Sequence, residues 1–352
     1  MVKKIFYTSL LLLAALQSCC PAYSCPQFDE PRQIGTVQSS SADEISGIAA
    51  SRKNPDVFWV HNDHSNSSTA VIYAMTSSGK NLGTFYLNGA VKRDYEDIAI
   101  GPGPISGTDY IYVGDIGDND ADYNSVTIYR IAEPTVDANS YYGSVSLTGV
   151  DAINLKYTAG PRDAEILMVY PNNADIYILT KRINPTQVYK ASYPQSTTQT
   201  TTLSLMTTIN ASWFTGGDIS PDSKYVIITD YYQNRLWPIL PGQQPWQAFA
   251  NQPCAVPAVS QPQREAICFS PDSQGYYTTS EGYQKPIYYF QKFLDTDFNL
   301  DKIVNFKDFA LLANCWLEPT TDQCIFADLQ SSSFIDYNDL QLLVEDWLKN
   351  TY

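Results

Sequence analysis

Short runs of apolar, β-branched and aromatic residues, broken by Pro, Asp, Asn, Ser or Gly, recur along the chain between about residues 33 and 293. Five of them align: "SGIAAS" from Ser46, "EDIAIGP" from Glu96, "EILMVYP" from Glu165, "TGGDISPD" from Thr215 and "EAICFSPD" from Glu265. Their starts fall 50, 69, 50 and 50 residues apart. Each is followed by a turn and a second β-rich run, such as "DVFWVHND" or "KYVIITDY", and then by a third, such as "SVTIYRI" or "KPIYYF". In most units a weaker fourth run follows, for example "LGTFYL" or "AINLKY". Alternating runs bounded by turn residues predict strands. Four strands per roughly 50 residues predict the blade of a β-propeller.

The 69-residue interval is expected to be one blade with an insertion around "EPTVDANSYYG". The fifth unit stops after three strands, and the early segment "RQIGTVQS" is placed to supply its outer strand and close the ring. An all-β propeller of five blades follows, with six as the alternative.

The first strand of each blade lines the central channel, and its start shares one end of the channel with the turn between second and third strands. The first-strand column reads Ser46, Glu96, Glu165, Thr215 and Glu265. Like charges facing one another across a channel raise one another's pKa unless a cation intervenes. Oxygen ligands of this kind suit calcium, so Glu96, Glu165 and Glu265 are candidate metal ligands. The alternative is pairing with Arg93, Arg162 and Arg264 just upstream.

The second column holds His61, Asn62, Asp63 and His64, then Asp115, Asp118 and Asn119, then Lys181 and Arg182, then Asp230 and Tyr231, then Ser280 and Glu281. The two histidines of "WVHNDHSN" lack the third imidazole or thiolate of a zinc site. Candidate catalytic groups are His61, Asp63 or Asp115 as base, and Lys181 and Arg182 as stabilisers of anionic charge. No phosphate loop, dinucleotide fingerprint or Gly-x-Ser-x-Gly elbow is present.

The composition, 44% hydrophobic and 13% aromatic, is that of a packed globular protein. A net charge of −15 argues against nucleic-acid partners. From Asp295 onward, 11 acids face three lysines, which marks off a separate acidic module. At the start, Met-Val-Lys-Lys precedes an apolar run from Ile5 to Leu16. At about 12 residues that run fits an export signal, residues 1–24, better than a membrane span. The expected location is therefore secreted or at the cell surface, with no transmembrane segment. Leu16-Gln-Ser-Cys19 offers the alternative of a lipid anchor at Cys19. Cys254 with Cys268, and Cys315 with Cys324, are candidate disulfide pairs, which leaves Cys25 over.

The stretches "SGIAASRKNPDVFWVHND", "RDYEDIAIGPG", "YIYVGDIGDN" and "QREAICFSPDSQGYYTTSEG" resemble exported bacterial propellers of the esterase-like and phytase-like type. The resemblance implies a propeller over residues 25–294 and a hydrolytic role on an ester, lactone or phosphate ester, with calcium. It supplies no catalytic set, and the acidic signatures of a β-propeller phytase are absent. The alternative is a non-catalytic binder of glycan or protein.

In the tail, "DFNLDKIVNFKD" places Asp297, Asn299, Asp301, Ile303, Asn305 and Asp308 at positions 1, 3, 5, 7, 9 and 12 of a calcium loop. A second copy places Asp328, Gln330, Ser332, Asp336 and Asp339 at positions 1, 3, 5, 9 and 12. This duplicated pattern over residues 295–352 resembles a type I dockerin. The resemblance implies calcium, a cohesin-like partner or cell-surface scaffold, and a link to polysaccharide degradation. Lys302 stands where glycine is usual at position 6, and the second loop lacks the acids at positions 3 and 5, so weaker calcium binding is expected there.

Overall fold

The computed structural model describes residues 25–63, 68–321, 323–330 and 332–349. The export signal, Cys19 and His64 lie outside them. The described chain divides into two units, Cys25–Leu294 and Asp295–Lys349.

Alternation of apolar and polar positions puts each run of the first unit into a strand, and consecutive strands pair antiparallel into five sheets. Blade 1 runs from its inner strand outward through Ile45–Ala50, Val57–Asn62, Thr69–Thr76 and Asn81–Val91. Blade 2 comprises Tyr95–Pro102, Asp109–Asp115, Val126–Ala132 and Asp151–Lys156, and blade 3 Ala164–Val169, Ile176–Thr180, Thr186–Ala191 and Ser204–Ile209. Blade 4 comprises Gly216–Ile219, Tyr225–Thr229, Asn234–Pro238 and Cys254–Val256. Blade 5 has Ala266–Phe269, Gly275–Thr279 and Pro286–Gln291, and takes Arg32–Thr36 as its outer strand. The inner strands adjoin in cyclic order, the last against the first. The five-bladed ring and its closure by "RQIGT" are thus as the repeat implies.

The long interval is one blade with an insertion. Ser144–Leu147 within that insertion pairs parallel with the outer strand of blade 1, and Thr201–Thr202 does the same for blade 2. These additions cover strand edges that would otherwise offer unpaired backbone groups.

Apolar cores lie between successive blades, with Trp59, Phe85 and Tyr95 packed between blades 1 and 2. Inner strands of neighbouring blades share no ladder, so side chains join them. Asp97 accepts the Leu167 N–H at 3.0 Å, and Asp218 accepts that of Phe269 at 2.9 Å. The Ser46 hydroxyl donates to the Glu96 carbonyl and the Thr215 hydroxyl to that of Arg264. The two hydroxyls of the first-strand column therefore hold blades together.

The cysteine pairing differs from the expectation drawn from spacing. Cys25 bonds Cys254, and Cys268 is a buried free thiol. Cys254 opens an outer strand while Cys268 lies on an inner strand. Ring closure brings Cys25 beside Cys254 instead. Cys315 and Cys324 are bonded, as their spacing suggested. No helix among the described residues is long and apolar enough to cross a membrane.

The second unit is a 31-residue duplication. Helix Phe306–Asn314 and helix Tyr337–Glu345 have the same capping box, closed by Asp308 and Asp339. Val304 and Ile335 link the two halves reciprocally, Leu317 N–H donating to the Ile335 carbonyl and Leu348 N–H to that of Val304.

Candidate functional site

The first-strand column does not point inward by alternation alone. The register slips at Ser46, Glu96 and Glu165, where each residue is the extra one of a β-bulge. A bulge re-aims a side chain out of the ladder. Here Glu96 and Glu165 join the acids of the flanking loops in one crowded mouth.

Three overlapping sets of carboxylates result, each with oxygens within 4.8 Å of one another: Asp63, Glu265 and Glu281; Asp63, Asp94 and Glu96; and Glu96, Asp163 and Glu165. Glu96, Asp163, Glu165 and Glu265 are buried, and Asp63, Asp94 and Glu281 are half-buried. Of the candidate ligands, Glu96 and Glu165 come together, whereas Glu265 belongs to a neighbouring set joined through Asp63.

The counter-charges come from blade 3. Lys181 is ion-paired with Glu165, and Arg182 Nε reaches Asp163 Oδ2 at 2.7 Å. Asp163 also accepts the Asp118 N–H at 3.0 Å. The arginines named as alternative partners turn elsewhere. Arg93 donates to the Ser125 carbonyl, Arg162 to Gln187, and Arg264 to the Val259 and Asp230 carbonyls.

Burial and then mutual repulsion raise the proton affinity of these acids. Glu96 is pushed well above the usual carboxylate range by burial, then by Glu165, Asp63 and Asp94. Burial pushes Glu165 up to about 8 although Lys181 pulls it down. Glu281 is pushed up to about 9 by burial and its hydrogen bond with Glu265, and Asp94 to about 6 by burial and Asp63. For Lys181, burial is outweighed by Glu165, which holds the ammonium above its ordinary value. Tyr231, which donates to Glu265 at 3.0 Å, is pushed up to about 12, chiefly by burial.

The donor set fits a hard cation. It is all oxygen, and Glu165 Oε2 is buried without a hydrogen-bond partner among the described residues. Gly117 backs the cluster so closely that a Cβ there would stand 2.1 Å from Glu96 Oε1 and 2.4 Å from Asp94 Oδ2.

His61 is not placed as a base. It is fully buried, its Nδ1 faces the Asn62 carbonyl at 3.2 Å, and burial pulls its pKa down to about 3. Periodicity puts it at the mouth, but its ring turns into the interior, edge-on to Tyr95 at 5.9 Å between ring centres and with Nε2 2.5 Å from where a Gly47 Cβ would be. Asp115 accepts the N–H groups of Arg93 and Asp94 at 3.0 and 2.6 Å, so it shapes the loop that carries Asp94. Asp63, Lys181 and Arg182 do lie at the mouth. Asp94 and Asp163 were missed, although "DYE" and "DAE" repeat an Asp two residues before the column Glu.

In the second unit, the two loops have matching backbone cradles. Asp297 accepts N–H groups of Asp301 and Lys302, and Asp308 those of Asn299 and Asn305. Asp328 accepts those of Ser332 and Ser333, and Asp339 those of Leu329, Gln330 and Asp336. Lys302 and Ser333 both have left-handed backbone, φ 73° and 68°, which explains the glycine usual at that position. Lys307 reaches Asp301 Oδ2 at 2.6 Å, Asn305 donates to the Ile303 carbonyl, and Asn305 and Asp336 cap the two helices.

The raised acids make stability depend on pH. Between the ordinary value of 4.5 and the folded values of about 8 and 9, the folded chain holds protons that the unfolded chain has released. In chelator, these two groups are therefore expected to lower the unfolding free energy as pH rises through that window, while His61, pulled down to about 3, works the other way below 6.5; urea titrations of wild type against Glu165→Gln at successive pH values isolate the Glu165 part. Glu165→Gln should flatten the part of the slope ending near 8.

No family model matches the chain, and no curated protein matches it. Among solved structures, the WD40 domain of Pan2 from Neurospora crassa is similar at 11% identity and a TM-score of 0.38, covering 77% of this chain and 98% of that one. The count of five blades rests on the strand pairing, not on this likeness.

Proposed function

We propose that the mouth is a divalent-cation site of the calcium class and that the cation-loaded mouth hydrolyses an ester, lactone or phosphate ester. The observation that supports it most is the set Glu96, Asp163 and Glu165, buried together with Glu165 Oε2 unpartnered. Glu96, Asp163 and Glu165 would hold the cation, with Asp63 and Asp94 gathered on the other side of Glu96. When bound, the cation would polarise the bond under attack and ease deprotonation of water. Lys181 keeps the Glu165 carboxylate in place, and Arg182, 41% exposed along its side chain, offers a guanidinium to an anionic oxygen.

In this reading the second unit is a dockerin-like module that folds around calcium at Asp297, Asn299, Asp301, Ile303, Asn305 and Asp308, and less tightly around the second loop. It would moor the secreted chain to a cohesin-like protein or cell-surface scaffold. The paired cradles support it.

Nitrophenyl esters, lactones and phosphate esters assayed with calcium and with chelator provide the test. Calcium-dependent turnover is expected in the wild-type chain and a loss of about a hundredfold or more in Glu96→Gln, in line with removal of an electrostatic catalytic group. Gly117→Ala should do the same, because its methyl group would enter the cluster. Turnover unchanged in both variants would exclude this site. A non-catalytic, ligand-binding mouth is the second reading, favoured by the exposed aromatic side chains around it.

A further inference from the structure

Tyr123, Trp213, Tyr232 and Tyr283 are exposed aromatic residues on four loops that share the mouth end of the channel. Trp213 stands apart among them. Half of it is exposed, yet its backbone is left-handed at φ 65°. Bulky residues rarely adopt that conformation, and such strain persists where neighbours over-determine it, commonly at ligand sites.

Those neighbours belong to the acid cluster. The Trp213 N–H donates to the Lys181 carbonyl at 3.0 Å. The Arg182 guanidinium lies 5.4 Å from the Trp213 ring centre, while Arg182 Nε holds Asp163 of the cluster. An indole is thereby fixed beside the cation ligands and backed by a cation, with half its surface in water.

Exposed aromatic rings take nucleobases, organic cations or sugars, and the Arg182 guanidinium over Trp213 already holds the place of a cation there. Nucleic acid brings a long phosphate backbone, which a chain of net charge −15 would repel. A protein partner would call for a contiguous apolar patch. Here the aromatics come from four separate loops, and Tyr123 and Trp213 are each faced by a guanidinium, that of Arg93 at 3.8 Å and that of Arg182 at 5.4 Å from the ring centre. A sugar has apolar C–H faces for the rings and neutral hydroxyls that a hard cation accepts as ligands.

We infer that Trp213 is a stacking platform for a carbohydrate, which lies across the mouth with one ring on the indole and its hydroxyls toward the cation site. The hydroxyl half rests on the reading given above, and the stacking half does not.

Native gels containing soluble xylan, glucomannan or galactomannan, run with calcium and with chelator, test it on the full chain. Wild type is expected to be retarded by at least one of the three. Trp213→Gly should weaken that retardation about tenfold or more, as for the loss of a central aromatic anchor. Its calcium affinity by calorimetry should be unchanged and its urea unfolding still a single cooperative transition, since glycine suits a left-handed position and offsets part of the packing lost with the ring. Trp213→Tyr should restore part of the retardation. Retardation that chelator leaves intact but Trp213→Gly removes supports the platform and overturns only the placing of the hydroxyls on the cation. No retardation of wild type on any of the three, or equal retardation of Trp213→Gly, overturns the platform.

Discussion

In chelator, Lys181→Met is expected to lower the unfolding free energy of the chain by about 3–5 kcal/mol, the cost of breaking a buried ion pair from one side. Lys181 and Glu165 are both buried, with side-chain exposures of 9% and 4%. Methionine fills the space of the lysine stem but leaves Glu165 among Glu96 and Asp163 with no positive charge against it. Calcium should reverse part of the loss, because the variant has lost the ammonium that competes with a cation for the Glu165 carboxylate, which without it takes up a proton that a cation can replace. Urea unfolding of both proteins, each with calcium and with chelator, gives four stabilities. Their double difference removes any calcium response common to both proteins, including that of the second unit. Equal gains from calcium in the two proteins would separate Lys181 from any cation.

Cys254→Ser is expected to cost about 3–5 kcal/mol, since the disulfide closes a very long loop. Cys25 and Cys254 are 229 residues apart. The bond ties the segment leading to the last strand of blade 5 onto the outer strand of blade 4, next to the place where the ring closes. Fraying of Arg32–Thr36 would open blade 5, and the cross-link limits how far that strand can leave. Cys268→Ser, which touches no disulfide, is the control. Denaturant titration of the two variants, with peptide mapping of the bridges, checks the account. A cost in Cys254→Ser no larger than in Cys268→Ser, or loss of the Cys25–Cys254 bridge in Cys268→Ser, would contradict it.

The ring was legible because its signal is redundant. Five runs at a common spacing agree on blade count, on the insertion after Glu133 and on closure by the N-terminal strand, and no single residue decides the matter. The site was legible only in part, because periodicity assigns a residue to a strand end without saying which way its side chain leaves. Glu96 and Glu165 point into the mouth because a bulge turns them there. His61, one position along in the same argument, is turned into the core and held neutral. Asp94 and Asp163 come from loops whose path depends on hydrogen bonds of Asp115 and Asp118, which no spacing rule supplies. The cysteine pairing failed for a related reason. Proximity in sequence suggested Cys254 with Cys268, whereas a closed ring brings its most distant parts side by side.

The most direct test of the central claim is anomalous diffraction from crystals of the full chain soaked in a terbium salt, a calcium surrogate visible by its own scattering. A peak within bonding distance of Glu96 and Glu165 carboxylate oxygens, absent from Glu96→Gln crystals, is the predicted result. Peaks confined to the second unit, with the mouth carboxylates left as they are without metal, would contradict it.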